Sequence, residues 1–503
     1  MDLLSTNGMS ISGSIPKTLS ESAVSFRDPA GRLFIIGDRV IRFINRAAMA
    51  ELEACLASPA LRQLVASGRL VATKPLSRLQ LAELREEDAS LDFLATEFDG
   101  VAVEHERIPF RSFPYEWPPE MLHVAGELTL DLAENLLPEG LGLKDATPYN
   151  VLFRGPKPVH VDLLSFEQRE AGDPTWLPFA QFSRTVLLPL LANKHFGIKL
   201  NQVLGSQRDG LEPEQVYRLC RPWQKLRPPF LTMATLPTWL TPRQNTEDSK
   251  LYQKRRLANS EKAQFILERL FKRLRCELAQ VAPSGKQQSA WSDYMSSEST
   301  AAEGYLAAKE HFVAAALTKL APRTVLDVGC NTGHFSALAA QHGARVIAID
   351  ADPAVVGRVW HRAAAENLSI LPLVVDLCRP SPGVGWRNRE HPSFLERAAG
   401  AFDLVLMLAV LHHLLVSERI PLAEVIALAA ELTTDSLIIE FVPPEDPMFR
   451  RITRGRDELF HSFNRETFEA ACKGAFIIMR SQSLGESGRF LYLLRKKDAS
   501  RSA

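Results

Sequence analysis

The stretch Thr324-Val-Leu-Asp-Val-Gly-Cys-Asn-Thr-Gly-His-Phe-Ser336 constrains this chain more than any other. Val325, Leu326 and Val328 are β-formers in a short run. Gly329 and Gly333 supply a turn in which backbone can come close to a ligand, and Phe335, Leu338 and Ala339 open a helical period. A second apolar run, residues 344–350, ends on Asp350, where a strand tip offers a carboxylate to a pair of ribose hydroxyls. The expected unit is therefore a nucleoside-binding βαβ. It is not a dinucleotide site, because that fingerprint needs G-x-G-x-x-G to seat a pyrophosphate on the helix N-terminus.

Gly329-Cys-Asn331-Thr-Gly333, preceded by Asp327, resembles the D/E-x-G-x-G-x-G motif of class I S-adenosylmethionine (SAM)-dependent methyltransferases. Asn331 replaces the middle glycine and also tolerates left-handed backbone. Residues 290–497 carry the alternation of a parallel sheet flanked by helices. A leading helix over residues 301–317 precedes the glycine turn. Strands are expected at 345–350, 369–376, 402–407 and 436–442, and residues 475–479 and 489–494 look like the closing antiparallel hairpin of this class. The resemblance implies that Gly329 and Gly333 let backbone approach the methionine part of SAM beside Asn331, a further cofactor-binding position, that Asp327 faces its ammonium directly or through water, that Asp350 accepts from the ribose and that Asp376 faces the adenine amine; a strand-end cap is the other reading of each Asp taken alone.

The length of 503 residues implies more than one core. An apolar fraction of 46% and a charged fraction of 23% are those of a globular protein. With 59 Lys and Arg against 59 Asp and Glu, no global charge favours nucleic acid or an anionic membrane, although a local basic patch stays open. Six cysteines without a C-x-x-C pair indicate neither zinc nor a disulfide framework, so no metal is expected and a reducing cytoplasm fits best. Residues 1–20 read as a disordered lead without a secretory pattern, and no run is long enough to span a bilayer.

The front half, residues 21–240, opens with a hairpin signal at 32–44 around Gly37-Asp38, then a helix from Ala47 to Cys55 and strands at 69–73 and 101–108. The aromatic-rich residues 110–117 lead into a long amphipathic helix expected over 118–137. Asp145-Ala-Thr-Pro-Tyr-Asn150 and Asp162 follow, the latter after the Gly155-Pro156 turn. This order is similar to the protein-kinase and aminoglycoside-phosphotransferase fold, in which the first Asp handles the substrate hydroxyl while the Asn and the second Asp hold metal. Asp145, Asn150 and Asp162 match those positions, which would admit ATP and Mg²⁺. The first hairpin lacks a G-x-G-x-x-G loop, its second strand offers arginines where lysine is usual, and Lys144 precedes Asp145 where arginine is usual. A shell that no longer phosphorylates, an active kinase and a mere turn cap at Asp145 all stay open. Residues 241–289 read as a charged helical connector and linker.

The fold class is thus α/β: a C-terminal Rossmann-like methyltransferase sheet with helices on both faces, preceded by an α+β kinase-like domain. His412 and His413, after the fourth strand, and Glu440, at the tip of the fifth, are the candidates for a base or acceptor contact; packing against the cofactor is an equal reading of the histidines. Arg450, Arg451, Arg454 and Arg456 could clamp an anionic acceptor, and Trp291 and Tyr294 could cover the cofactor. The front and back halves together look like a group of bacterial SAM-dependent methyltransferases, some linked in name to nodulation factors. That implies a small-molecule, glycan or lipid acceptor, with the front half serving substrate binding or regulation. A phosphotransferase whose C-terminal domain senses SAM, and a non-catalytic scaffold, are the alternatives. The oligomeric state is not legible.

Overall fold

Gly37 takes φ +56°, and this left-handed residue closes the two-residue turn that the Gly-Asp pair predicts. A computed structural model describes residues 23–25, 28–87, 101–240, 256–283 and 300–497. It divides into two units, Met1–Arg107 and Ile108–Ala503. In the first, β1 (Ala23–Ser25), β2 (Gly31–Ile36), β3 (Arg39–Ile44), β4 (Thr73–Pro75) and β5 (Ala102–His105) form an antiparallel sheet of order β1-β2-β3-β5-β4. Phe34, Ile41, Phe43, Leu81 and Leu84 fill its core. Glu104 takes Arg39 at 2.9 Å and Lys74 at 3.3 Å across the sheet, and the hydrogen bond from Arg39 contributes to holding its carboxyl below the usual range.

The strand expected at 69–73 is displaced to Thr73–Pro75. Leu70 and Val71 are apolar because they are buried behind the helix Pro59–Ala66, whose Leu64 carbonyl accepts from the amides of Arg69 and Leu70. Periodicity alone does not separate such a helix exit from a short buried strand. The helix expected from Ala47 to Cys55 is found at Met49–Ala57.

In the second unit, two short antiparallel pairs, β6 (Leu141–Leu143) with β9 (Phe166–Gln168) and β7 (Val151–Arg154) with β8 (Lys157–His160), precede seven strands that form one sheet. They are β10 (Thr324–Val328), β11 (Arg345–Asp350), β12 (Ile370–Val374), β13 (Phe402–Met407), β14 (Thr433–Phe441), β15 (Phe476–Ser483) and β16 (Phe490–Lys496), in the order β12-β11-β10-β13-β14-β16-β15. The pairings from β12 to β14 are parallel, and β16 joins antiparallel to both β14 and β15. The order reverses at β10, so the carboxyl ends of β10, β11 and β13 diverge into a crevice. Val325, Val346, Leu404, Ile438 and Leu491 share the core of one sheet face with Phe312, Val313 and Leu317 of the leading helix Thr300–Leu320.

Helices ahead of the sheet pack on one another and on its flanking helices. Helix Pro119–Leu136 buries Met121, Leu122, Ala125, Leu128, Leu132 and Leu136, close to the span expected, and it meets helix Pro353–Ala365. Helix Ser260–Gln280 is more than a solvated connector: Ala263, Leu267, Phe271, Leu274 and Leu278 form a buried stripe, and Arg275 clasps Glu134 and Asp131 of the helix beneath. Residues 110–117 bind the long loop between β12 and β13. There Arg397, itself buried, donates to Glu116 and to the carbonyl of Arg111, and its guanidinium lies 4.9 Å from the centre of the Phe113 ring. Among the described residues no helix is long and apolar enough to cross a membrane.

Candidate functional site

The turn after β10 sets the site. Gly329 and Gly333 take φ +67° and +76°, and Asn331 takes +48°, a conformation that Asn tolerates better than most residues. The amides of Gly329 and Cys330 donate to the carbonyl of Ile349 at 2.9 and 3.0 Å, tying the turn to β11. A Cβ on Gly329 would lie 2.4 Å from Val410 Cγ2, and one on Gly333 would lie 2.9 Å from Val359 Cγ2. The two glycines therefore differ in purpose. Gly329 lines the cavity described next, whereas Gly333 starts helix His334–Gln341 and lets Val359 pack against it.

A cavity of about 440 Å³ lies at the carboxyl edge of the sheet, within the range of small-molecule sites. Asp327, Asp350 and Asp376 all line it, with Asn331 and the adjoining turn. Asp350 Oδ2 accepts the Asn331 amide at 3.1 Å and its Oδ1 accepts the Asp352 amide at 3.0 Å, which fixes the carboxylate at the tip of β11. Burial pushes the Asp350 pKa up. Asp327 is buried more deeply, and desolvation, reinforced by the Asp350 charge, raises it to about 7 although Ser336 donates to it at 2.5 Å. Such acids are poised to take a cationic or hydroxyl-rich ligand, and this set of acceptors fits SAM, with its ammonium, ribose and adenine.

Asp376 sits beyond β12 in a chain of charges. Its carboxylate meets Arg379 Nε at 3.2 Å, and the Arg379 fork binds Glu418 at 2.8 and 3.0 Å, so two loops of the cavity wall are joined. Cys330 and Cys378 also line the cavity, and burial pushes the second thiol up to about 12, so neither serves as a nucleophile at neutral pH. Ala409, just after β13, holds φ +54° on the same wall, a local strain of the kind found at functional sites.

The two histidines separate. His413 lines the cavity, and burial lowers its pKa, so its ring is neutral at pH 7. His412 does not line it; it is buried with neither ring nitrogen bonded, its ring centre 4.3 Å from that of His413 and its pKa pushed down to about 3, first by desolvation. Glu440 is also away from the wall. It is fully buried, meets Lys309 Nζ at 2.7 Å and Arg489 Nη1 at 3.3 Å, and accepts from Tyr305 OH. Those partners outweigh desolvation and hold its carboxyl below the usual range. Arg489 also forks onto Asp446 at 2.7 and 3.0 Å. Lys309 does line the cavity, and sequence reading missed it because its partner Glu440 lies on a remote strand.

Two of the three positions matched to the kinase motif flank a residue the sequence did not single out. The carboxylates of Asp162 and Asp145 both act on buried His160, whose pKa burial lowers and whose Nε2 lies 2.8 Å from Ser165 Oγ. Asp145 Oδ1 accepts the Thr147 amide and Asp162 Oδ1 accepts the Leu164 amide, both at 3.2 Å, while the Asn150 carbonyl accepts from Val161. These are turn-forming bonds. Among the described residues no three His, Cys, Asp or Glu side chains are placed to hold a metal. Tyr149, between Asp145 and Asn150, stacks 5.0 Å from His391 of the β12–β13 loop. Arg450, Arg451, Arg454 and Arg456 are exposed and not on the cavity wall; Trp291, Tyr294 and residues 1–20 lie outside the described residues.

Comparison with known proteins now bears on this geometry. Nodulation protein NoeA of Rhizobium meliloti (strain 1021) is 31% identical over 481 residues, which is 95% of this chain and 96% of NoeA. The chain belongs to the NoeA family. Residues 301–475 match the family described as a methyltransferase domain, over the strands that build the cavity. Among solved structures, N-methyltransferase NodS from Bradyrhizobium japonicum WM9 is 19% identical over 39% of this chain and 97% of NodS, with a TM-score of 0.29. Magnesium protoporphyrin IX methyltransferase from Synechocystis PCC 6803, with bound S-adenosylhomocysteine, is 19% identical over 41% and 92%, with a TM-score of 0.29. WbdD, crystallised with a kinase inhibitor, is 19% identical over 38% and 40%, with a TM-score of 0.26. This member of the NoeA family is a SAM-dependent methyltransferase.

Proposed function

We propose that the cavity at the edge of β10, β11 and β13 holds SAM and that the chain methylates a small-molecule, glycan or lipid acceptor. The observation that carries this reading is the convergence of three carboxylates and a glycine turn on one cavity. NoeA is named for nodulation, and a glycan or lipid made for that process is the acceptor class we favour. Bound SAM would supply a methyl group already activated on a sulfonium. Asp350 would accept from the ribose hydroxyls, Asp376 from the adenine amine and Asp327 from the ammonium, the last in its ionised form. His413 would meet the acceptor and, being neutral, could take its proton. Glu440, clamped by Lys309 and Arg489, would fix the electrostatic field of the floor rather than act as a base.

The domain plan belongs to the same proposal: residues 290–497 as the methyltransferase, 21–240 as a kinase-like shell that binds acceptor or regulates, 241–289 as the join, and the whole placed in the cytoplasm. Asp145 and Asp162 are engaged by backbone amides, so no step is assigned to ATP or Mg²⁺. Transfer from methyl-labelled SAM and from γ-labelled ATP into a glycolipid-containing extract tests the reading. Label from SAM alone supports it. Label from ATP alone, lost in Asp162→Ala, would make the chain a phosphotransferase.

A further inference from the structure

Residues 215–246 contain no Asp or Glu, whereas the chain as a whole balances 59 acids against 59 bases. Within this acid-free stretch stand Arg218, Arg221, Lys225 and Arg227, and none of the four enters an ion pair among the described residues. Large apolar side chains stand among them and after them and face solvent: Trp223 is 55% exposed, Leu226 64%, Trp239 56% and Leu240 76%. The segment is knitted into one face. Trp239 Nε1 donates to Tyr217 OH at 3.3 Å, Lys225 Nζ lies 3.8 Å from the Tyr217 ring centre, and the Arg227 guanidinium lies 5.8 Å from that of Trp223. Beneath it, Val216, Phe230, Met233 and Ala234 are buried and hold the face in place.

An exposed segment of this composition calls for an occupant. Tryptophan and leucine set among lysine and arginine is the composition that seats proteins at the boundary between lipid headgroups and acyl chains. The long basic side chains can lie along the apolar surface while their charges reach phosphate. A second copy of the same face is a poorer fit, because a twofold contact would bring four cations against four cations. A nucleic acid would answer the charge but leave Leu226 and Leu240 in water.

We propose that residues 217–240 dock on an anionic lipid bilayer. The face lies outside the cavity wall, so this inference stands or falls separately from the methyl-transfer reading. The test is co-sedimentation of the full chain with vesicles of phosphatidylcholine alone and of phosphatidylcholine mixed with phosphatidylglycerol, at low and high salt. The expected result is binding to the mixed vesicles only, weakened by salt, with each charge removed in Arg221→Gln, Lys225→Gln and Arg227→Gln costing about fivefold in affinity. Trp223→Ser combined with Trp239→Ser should abolish the residual binding while keeping the wild-type cooperative thermal transition, which shows the variant is folded. Absence of binding to the mixed vesicles, or binding that both variants keep, overturns the proposal. So does a dimer that the tryptophan variant dissolves, or capture of an oligonucleotide without capture of vesicles.

Discussion

Arg397 and Glu116, both almost fully buried, form an ion pair between the loop that leaves the cavity after β12 and the aromatic segment 110–117. Ser381, on the same loop and shortly after Asp376, donates to the same carboxylate. The loop that carries the cavity's third acid is thus anchored to the front elements of its own unit.

Arg397→Ala leaves Glu116 buried without its cation, and breaking a buried pair in this way costs about 3–5 kcal/mol. Denaturant unfolding should show that loss. Glu116→Gln added to the variant should recover part of it, because the uncompensated charge is removed. Equal losses in the single and double variants would show that the pair is not coupled.

Asp327 titrates at about 7 in the folded chain and near its ordinary value of about 3.9 when unfolded. Its folded pKa is raised, so between those pH values the folded state binds the extra proton. The stability this carboxyl contributes is present below about pH 4 and is lost as pH rises through about 7. The melting temperature of Asp327→Asn minus that of the wild type should therefore rise across this window, before SAM is added. A flat difference would place Asp327 in a more hydrated setting.

Gly329→Ala combines a left-handed φ with a Cβ 2.4 Å from Val410, a cavity residue. A stability loss of about 1–3 kcal/mol is expected. Calorimetry should show weakened SAM binding as well, since Val410 has to move into the cavity. Wild-type affinity in this variant would mean the turn does not bound the SAM site.

His412→Leu and His413→Ala should behave oppositely. Neither His412 nitrogen has a partner, so replacing the ring by an apolar side chain should keep or raise the melting temperature and keep methyl transfer. His413→Ala should lower turnover at least about tenfold with little change in SAM affinity, as expected for a group on the acceptor side. Turnover that depends on His412 instead would reverse the assignment.

The parallel strands were legible because each is a short apolar run ending at a polar tip: Arg345–Asp350 and Phe402–Met407 fall where the pattern places them. The acids at the strand ends were legible for the same reason, since topology alone brings carboxyl ends to one edge. Lys309 and His160 were not, because their meaning comes from Glu440 and from Asp162 and Asp145, and such pairings are set by packing rather than by spacing. The aromatic segment 110–117 was read only as a lead into a helix. Its role in anchoring the β12–β13 loop depends on Arg397, 281 residues away in sequence from Glu116. Adjacent histidines are also indistinguishable in a pattern, and only the local helix turn decides that His413 faces the cavity.

Calorimetric titration of the full chain and of Asp350→Ala with SAM reads the ribose contact itself. A single site is expected in the wild type, weakened in the variant by about 1.5–3 kcal/mol, the scale of a hydrogen bond to a charged group. No heat of binding in the wild type, or equal affinity in the two proteins, would contradict the placing of SAM in this cavity with Asp350 as its ribose ligand.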